Sequence, residues 1–223
     1  MRRFALVTLT LVISLSALVG GVRQAHRDDP SPLWRIFTNP DGTDCTKLCL
    51  FGLIPGAMTF EEAVARLKLH PLTANLIQYE GGNEHISTFQ DDQINVILVR
   101  SSQDNSLSGV WLTLSDYRGS SPVGHLTLGH MVRFFGPPSI IRFSASGVVP
   151  EMLFQRQRMQ VGMIRQFGMD DAPIRMTDYL SYIVLFTPED ILTYPAPIEE
   201  PKPWLGFARM VIYHRFPRLP VYP

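Results

Sequence analysis

The chain has 223 residues, of which 45% are hydrophobic and 18% are charged, and its 20 basic side chains balance its 20 acidic ones. This length and apolar content suffice for one domain or two small ones and exclude a wholly disordered chain. The neutral charge argues against a nucleic-acid partner. Two cysteines are too few for a disulfide-rich protein or a four-thiolate zinc site.

The first 22 residues predict a membrane segment. Arg2 and Arg3 precede an uncharged stretch from Phe4 to Val22, and a helix of that length rises roughly 28 Å, close to the ~30 Å hydrocarbon core. We expect an uncleaved signal anchor over 1–22, with its N-terminus in the cytoplasm and the bulk of the chain extracytoplasmic. The alternatives are cleavage after Gly21, which would give a secreted protein, and a buried soluble helix.

Residues 23–44 are polar and proline-containing, and they predict a linker after the membrane segment. Cys45 and Cys49 follow with C-x3-C spacing. In an oxidising compartment this pair predicts a local disulfide, which closes a short loop and therefore stabilises the fold modestly. Free buried thiols and a metal or haem site are the alternatives. The six histidines are scattered, so we predict no metal and no cofactor.

A first α+β unit is predicted over 45–118. Thr59 can cap a helix over 59–69, and Glu61 and Glu62 lie in its first turn, where the helix dipole favours acidic side chains. Pairs of strands separated by glycine-rich and aspartate-containing turns then predict an antiparallel sheet. The strands are predicted at 75–80, 84–89, 94–100 and 109–115.

A second α+β unit is predicted over 119–216, with a tail over 217–223. Its helix aligns with the first at an offset of 68 residues, which places Thr127 on Thr59 and ends the helix at Gly136. Two unrelated capped helices are the alternative. A proline-rich loop is predicted at 193–204. The strands are predicted at 140–143, 148–155, 159–166, 181–187 and 207–213. The fold class is thus α+β, with an N-terminal transmembrane helix and two related helix-plus-antiparallel-sheet units.

The paired cysteines run into a P-G-x-x-T helix start, and a later LTLGHMVRFFGPP segment forms the second helix. This combination resembles a family of uncharacterised exported bacterial proteins, although Leu48 and Leu50 stand where that family has proline and tryptophan around the second cysteine. The helix-then-strands unit is more weakly similar to small outer-membrane-assembly lipoproteins and to tandem β-lactamase-inhibitor folds. The first resemblance implies an exported protein and brings no function with it, whereas the second, weaker one implies a binding role. The matching residues are Cys45, Cys49, Gly52, Pro55, Gly56, Thr59, Leu126 to Gly129, Gly136 and Pro138.

The sequence contains none of the GxSxG, GxxxxGK[ST], GxGxxG or HExxH motifs. The candidates for catalysis are a nucleophilic serine at 144–147, a general base at His130, and acid pairs at 91–92 and 170–171. Each is better explained as a turn, solvated or capping residue. Aromatic residues such as Trp111 either line a binding surface or belong to the core. We therefore assign no catalytic, cofactor-binding or metal-binding residue.

The best functional hypothesis is a non-enzymatic, membrane-anchored extracytoplasmic module that binds an unidentified protein or envelope component. The alternatives are an extracytoplasmic hydrolase whose site is assembled from scattered residues, and a structural role without a ligand. A deep pocket with convergent Asp, His or Ser side chains favours the enzyme, whereas a solid core with an open sheet face favours the binding module.

Overall fold

The computed structural model describes residues 35–80, 85–91, 94–114, 126–143, 150–163, 173–187 and 202–207. All of them belong to a compact unit that spans Pro32–Pro223. The predicted membrane segment at 1–22, the first part of the linker and the tail at 217–223 lie outside the described residues. Within the described ranges, no helix is both long and apolar enough to cross a membrane.

Nine strands of the described chain form one antiparallel sheet, which two helices accompany. The helices are α1 (Phe60–Leu69) and α2 (Leu128–Phe135). The strands are β1 (Ile77–Glu80), β2 (Ile86–Gln90), β3 (Ile94–Arg100), β4 (Leu107–Leu114), β5 (Ile140–Phe143), β6 (Pro150–Phe154), β7 (Met159–Met163), β8 (Leu180–Phe186) and β9 (Lys202–Pro203). Their order across the sheet is β1-β2-β3-β4-β8-β7-β6-β5-β9. The predicted α+β class and antiparallel pairing are confirmed.

Both helices begin with a capping box at the predicted threonine. Thr59 accepts a hydrogen bond from the Glu62 N–H, and the Glu62 carboxylate accepts one from the Thr59 N–H at 2.9 Å. In α2, Thr127 accepts from the His130 N–H, and the His130 Nδ1 accepts from the Thr127 N–H at 3.2 Å. His130 is thus a capping residue, which decides between the solvated and capping roles that the sequence left open.

The residues at the start of each helix form backbone hydrogen bonds with the residues at the start of one central strand. The Phe60 N–H donates to the Asn105 carbonyl and the Leu107 N–H to the Met58 carbonyl, each at 3.0 Å. In the second helix, the Leu128 N–H donates to Asp178 and the Leu180 N–H to Leu126, each at 2.9 Å. The two helix starts are therefore attached in the same way to β4 and to β8, which lie side by side in the sheet.

Alternate residues of the strands point into one hydrophobic core together with the helices. In β3 and β4 these are Ile94, Val96, Leu98, Val110 and Leu112, which are fully buried. Phe60, Ala63 and Leu67 are the buried residues of α1, and Leu128 and Met131 those of α2. We call this side of the sheet the core face, and the opposite side the outer face.

The segment that precedes Cys45 contributes to the same core. Ile36 and Phe37 are buried. The Phe51 N–H donates to the Ile36 carbonyl at 2.7 Å. The ring of Phe37 packs edge-to-face against that of Phe135 of α2, with 5.1 Å between the ring centroids. Cys45 and Cys49 form the predicted disulfide, with their Cα atoms 6.2 Å apart. The described part of the predicted linker thus includes two core residues.

Some boundaries differ from those expected. β1 begins at Ile77 rather than 75, and β4 begins at Leu107 rather than 109. Within the predicted proline-rich loop, Lys202 and Pro203 pair with β5 and Lys202 is buried. Proline is tolerated there because β9 lies at the edge of the described sheet. Of the last predicted strand, at 207–213, only Phe207 lies within the described residues.

His70 ends α1 and is 2% exposed. Its Nδ1 accepts from the Leu72 N–H at 3.2 Å, and its ring contacts Phe51 at 5.1 Å in an edge-to-face arrangement. Burial lowers the pKa of His70 to about 4, and a hydrogen bond to the Arg35 backbone only partly offsets this. The folded protein therefore holds a neutral imidazole.

We predict that stability is full above about pH 6.5 and falls as the pH decreases towards 4, by up to about 1.4 kcal/mol per unit, because only the unfolded chain binds a proton at His70. His70→Asn keeps an acceptor near Nδ1 and should flatten this slope while lowering stability at neutral pH. Urea unfolding between pH 6.5 and 5 measures both effects. An unchanged slope in His70→Asn would contradict the assignment.

Candidate functional site

The register of the sheet aligns one side chain from each of five strands on the outer face, and all of them except Thr88 are aliphatic or aromatic. Each residue pairs directly with the next, and none belongs to the core cluster. We call this set the apolar row: Tyr79, Thr88, Ile97, Trp111 and Val184. Cross-strand neighbours of this kind pack against one another and stabilise the sheet. The row therefore makes the outer face apolar where β1 to β4 meet β8.

A second set of directly paired residues runs beside the apolar row and is mainly polar. We call it the polar row: Gln90, Asn95, Thr113, Tyr182, Gly162, Glu151 and Arg142. The two rows meet where the Trp111 and Tyr182 rings contact each other at 5.4 Å. A partner on the outer face would thus meet apolar and polar side chains in adjacent lines.

The far end of the polar row is a buried hydrogen-bonded network. The Arg142 Nε donates to Glu151 at 2.7 Å, and its Nη2 donates to the Gln160 side-chain oxygen at 2.5 Å. The Gln160 amide donates to Glu151 and to the Tyr182 hydroxyl, at 3.1 and 3.0 Å. Arg142, Glu151 and Gln160 are at most 8% exposed. The ion pair therefore has the additional partners that a buried pair requires.

Tyr182 is held as a neutral phenol. Burial raises the pKa of Tyr182 far above its ordinary value, and the Glu151 charge raises it further. Such a group is a poor acid or base at physiological pH. The network thus fixes the second half of the sheet, and its chemistry does not indicate proton transfer.

Accessibility differs between the two halves of the outer face. In β1, Ile77 is 61% exposed and Tyr79 is 48% exposed, and the outer residues of β2 and β3 are half-buried. In contrast, Glu151 and Gln160 of β6 and β7 are buried. A partner can therefore reach the β1–β4 half of this face.

A small apolar cavity of about 90 Å³ opens on the outer face beside the apolar row. Its lining includes Val99, Ser108, Gly109, Trp111, Val184 and Phe186. The Ser108 hydroxyl donates to the Val99 carbonyl at 3.3 Å and is thereby satisfied. The cavity lining contains no acid, histidine or cysteine among the described residues.

The residues considered for catalysis do not converge within the described chain. His130 caps α2, and Asp91 accepts a hydrogen bond from the Ile94 N–H at 2.8 Å, as expected of a turn residue. Residues 144–147, 170–171, His125 and Asp92 lie outside the described ranges. The described part of the chain has no group of three or more His, Cys, Asp or Glu side chains that could hold a metal ion.

The outer-face residues were only partly indicated by the sequence. Trp111 was considered as either a core or a surface residue, and it lies half-buried on the outer face. The β3 sequence INVILVR carries apolar residues on both faces of the strand. Arg142, Glu151 and Gln160 gave no local signal, because only the pairing of β5, β6 and β7 brings them together.

No protein-family model matches the chain, and a comparison with curated proteins finds no match. Among solved structures, a DUF4309 family protein from Bacillus subtilis aligns with 63% of this chain and 87% of its own, at 10% identity and a TM-score of 0.40. A cysteine-rich secretory protein from Staphylococcus aureus aligns with 68% of this chain and 53% of its own, at 11% identity and a TM-score of 0.30. Similarity at this level says nothing about function.

We predict that Arg142→Met lowers the free energy of unfolding by about 3–5 kcal/mol, because Glu151 is then buried without its cation. The double variant Arg142→Met/Glu151→Met should lose clearly less than the sum of the two single variants. Urea unfolding of the four proteins gives the coupling energy. Additive losses would show that the pair does not interact energetically.

Proposed function

We propose that this protein is a non-enzymatic binding module and that the outer face of β1–β4 is its binding surface. The carrying observation is the apolar row, which ends at the exposed Tyr79 beside the exposed Ile77. Contiguous apolar side chains on an accessible surface favour contact with a partner over contact with water. Tyrosine and tryptophan are also enriched at protein interfaces, and both occur in this row.

We further propose that residues 4–22 anchor the protein in a membrane and that the β-sheet unit lies on the extracytoplasmic side. The apolar N-terminal sequence supports the anchor, and the cationic Arg2 and Arg3 support a cytoplasmic N-terminus. The Cys45–Cys49 disulfide supports an oxidising compartment, where such bonds persist. The proposed partner is accordingly a protein or another component of the cell envelope.

We also propose that the chain contains two related helix-plus-antiparallel-sheet units. It is supported by the two capping boxes, which are 68 residues apart at Thr59 and Thr127, and by the identical attachment of each helix start to β4 or β8. The strand order places these two strands at the centre, with β1–β3 on one side and β5–β7 on the other. The binding surface would then belong mainly to the first unit.

A photo-crosslinking residue at position 79 tests the binding surface in the full-length protein in its native membranes. We expect one recurrent adduct at position 79 that disappears when Ile77 is replaced by Asp, since a charge in the contact is costly. Leu69 on α1 is the matched control, because it is 71% exposed but lies away from the outer face. Absence of an adduct at 79, or equal adducts at 79 and 69, would refute the proposed surface.

The intact mass of the protein from the same membranes, with free thiols alkylated and without reduction, tests the location. We expect the full-length mass without alkyl adducts, because the anchor is retained and Cys45 and Cys49 are oxidised. The mass of a chain that starts after Gly21 would show that the N-terminal segment is cleaved and that the protein is secreted. Two alkyl adducts would contradict the oxidising compartment.

A further inference from the structure

Two cross-strand residue pairs on the outer face each lie next to a register irregularity, and each pair contains one glycine. Val99 of β3 pairs with Gly109 of β4 immediately before a register irregularity. Gly162 of β7 pairs with Tyr182 of β8, also immediately before a register irregularity. The glycine lies on the central strand in the first pair and on the flanking strand in the second.

The second pair is closed by its own tyrosine. A Cβ atom built on Gly162 would overlap the Tyr182 ring, so the ring lies directly against the glycine backbone. Gly162 is required there, because any side chain would displace the ring. The protein thus fills the space above this glycine with a large side chain.

In the first pair, by contrast, there is room for a Cβ atom on the glycine. A Cβ atom built on Gly109 would lie 3.6 Å from the Leu185 carbonyl oxygen and 3.7 Å from the Val99 Cβ, which are ordinary contacts. Its backbone is not in the left-handed region, so neither packing nor conformation requires glycine at 109. The effect of Gly109 is instead the cavity, since Val99 and Phe186 flank a position that carries no side chain.

We propose that this cavity receives one aliphatic side chain of a partner protein, of the size of leucine, isoleucine or valine. The proposal rests on the proposed function, because the cavity adjoins the apolar row of the same face. The side chains of Val99, Val184, Trp111 and Phe186 favour an uncharged apolar group. An aliphatic side chain seated in such a pocket is removed from water, which favours the bound state.

The volume selects an aliphatic group. A cavity of about 90 Å³ is smaller than the ~150 Å³ cavity that holds benzene. An isopropyl or isobutyl group fills such a space, whereas an aromatic ring or several carbons of a lipid chain exceed it.

The probes are N-acetyl-leucinamide, N-acetyl-glycinamide and decanoate, titrated into the full-length, methyl-labelled protein in lipid nanodiscs. NMR follows the Val99 and Val184 methyl signals and the Trp111 indole signal. We expect saturable shifts in the millimolar range with the leucine probe and none with the glycine probe. No saturable shift with the leucine probe overturns the proposal. A stronger shift with decanoate assigns the cavity to a lipid chain and also overturns it.

Gly109→Leu places an aliphatic side chain of this chain in the cavity and should abolish the leucine-probe shifts. Gly109→Ala adds one methyl group with ordinary contacts and should weaken binding at least fivefold, even if the leucine variant folds poorly. Ala65→Leu adds comparable bulk at an exposed position of α1, away from the outer face, so binding should be unchanged. Shifts that persist in both Gly109 variants would show that the probe binds elsewhere.

The two proposals fail separately. If the leucine probe binds but position 79 gives no specific crosslink, the cavity remains a ligand site and the binding surface is wrong. If position 79 crosslinks a partner and Gly109→Leu does not weaken that adduct, the surface remains and the cavity is not its anchor site.

Discussion

The pairing of β4 with β8 is the constraint on which the other features depend. Five consecutive pairs, from Gly109 with Phe186 to Thr113 with Tyr182, hold the two halves of the sheet in one register. Side chains alternate between the faces, so a slip of one residue would move Val110 and Leu112 from the core to the outer face. The same register brings Trp111 beside Val184. The core, the apolar row and the cavity therefore all depend on this strand pairing.

The two halves use similar backbone arrangements with different side chains. The capping box of α1 uses Glu62, whereas that of α2 uses His130 at the corresponding position. On the outer face, Tyr182 closes the second half over Gly162, and Gly109 leaves the first half open. Different side chains at a few outward positions thus make one half of the outer face closed and the other half accessible.

Local elements were predictable because their signals lie within a few residues. Thr59 and Thr127 mark both helix starts, and Pro71 and Gly136 follow both helix ends closely, so α1 was expected at 59–69 and is observed at Phe60–Leu69. The burial of Ile36 in a segment that looks like a linker was not predictable, because only tertiary packing decides it.

The outer face was harder to predict because it depends on register between distant strands. Arg142 and Gln160 are 18 residues apart and meet only when β5, β6 and β7 pair as observed. The cavity likewise requires Val99, Gly109 and Phe186 to lie in one line across three strands. A single sequence shows the apolar character of each strand, but it does not show which residues of other strands face it.

The buried ion pair favours one register of the second half of the sheet. A buried pair contributes little net stability, since desolvation opposes its attraction, but breaking it is costly. Any other register of β5, β6 and β7 would separate Arg142 from Glu151 and Gln160 and leave charges buried alone. The network therefore disfavours misaligned sheets. The apolar row and the cavity depend on the second half only through β8, whose pairing with β7 and with β4 continues the register across the sheet.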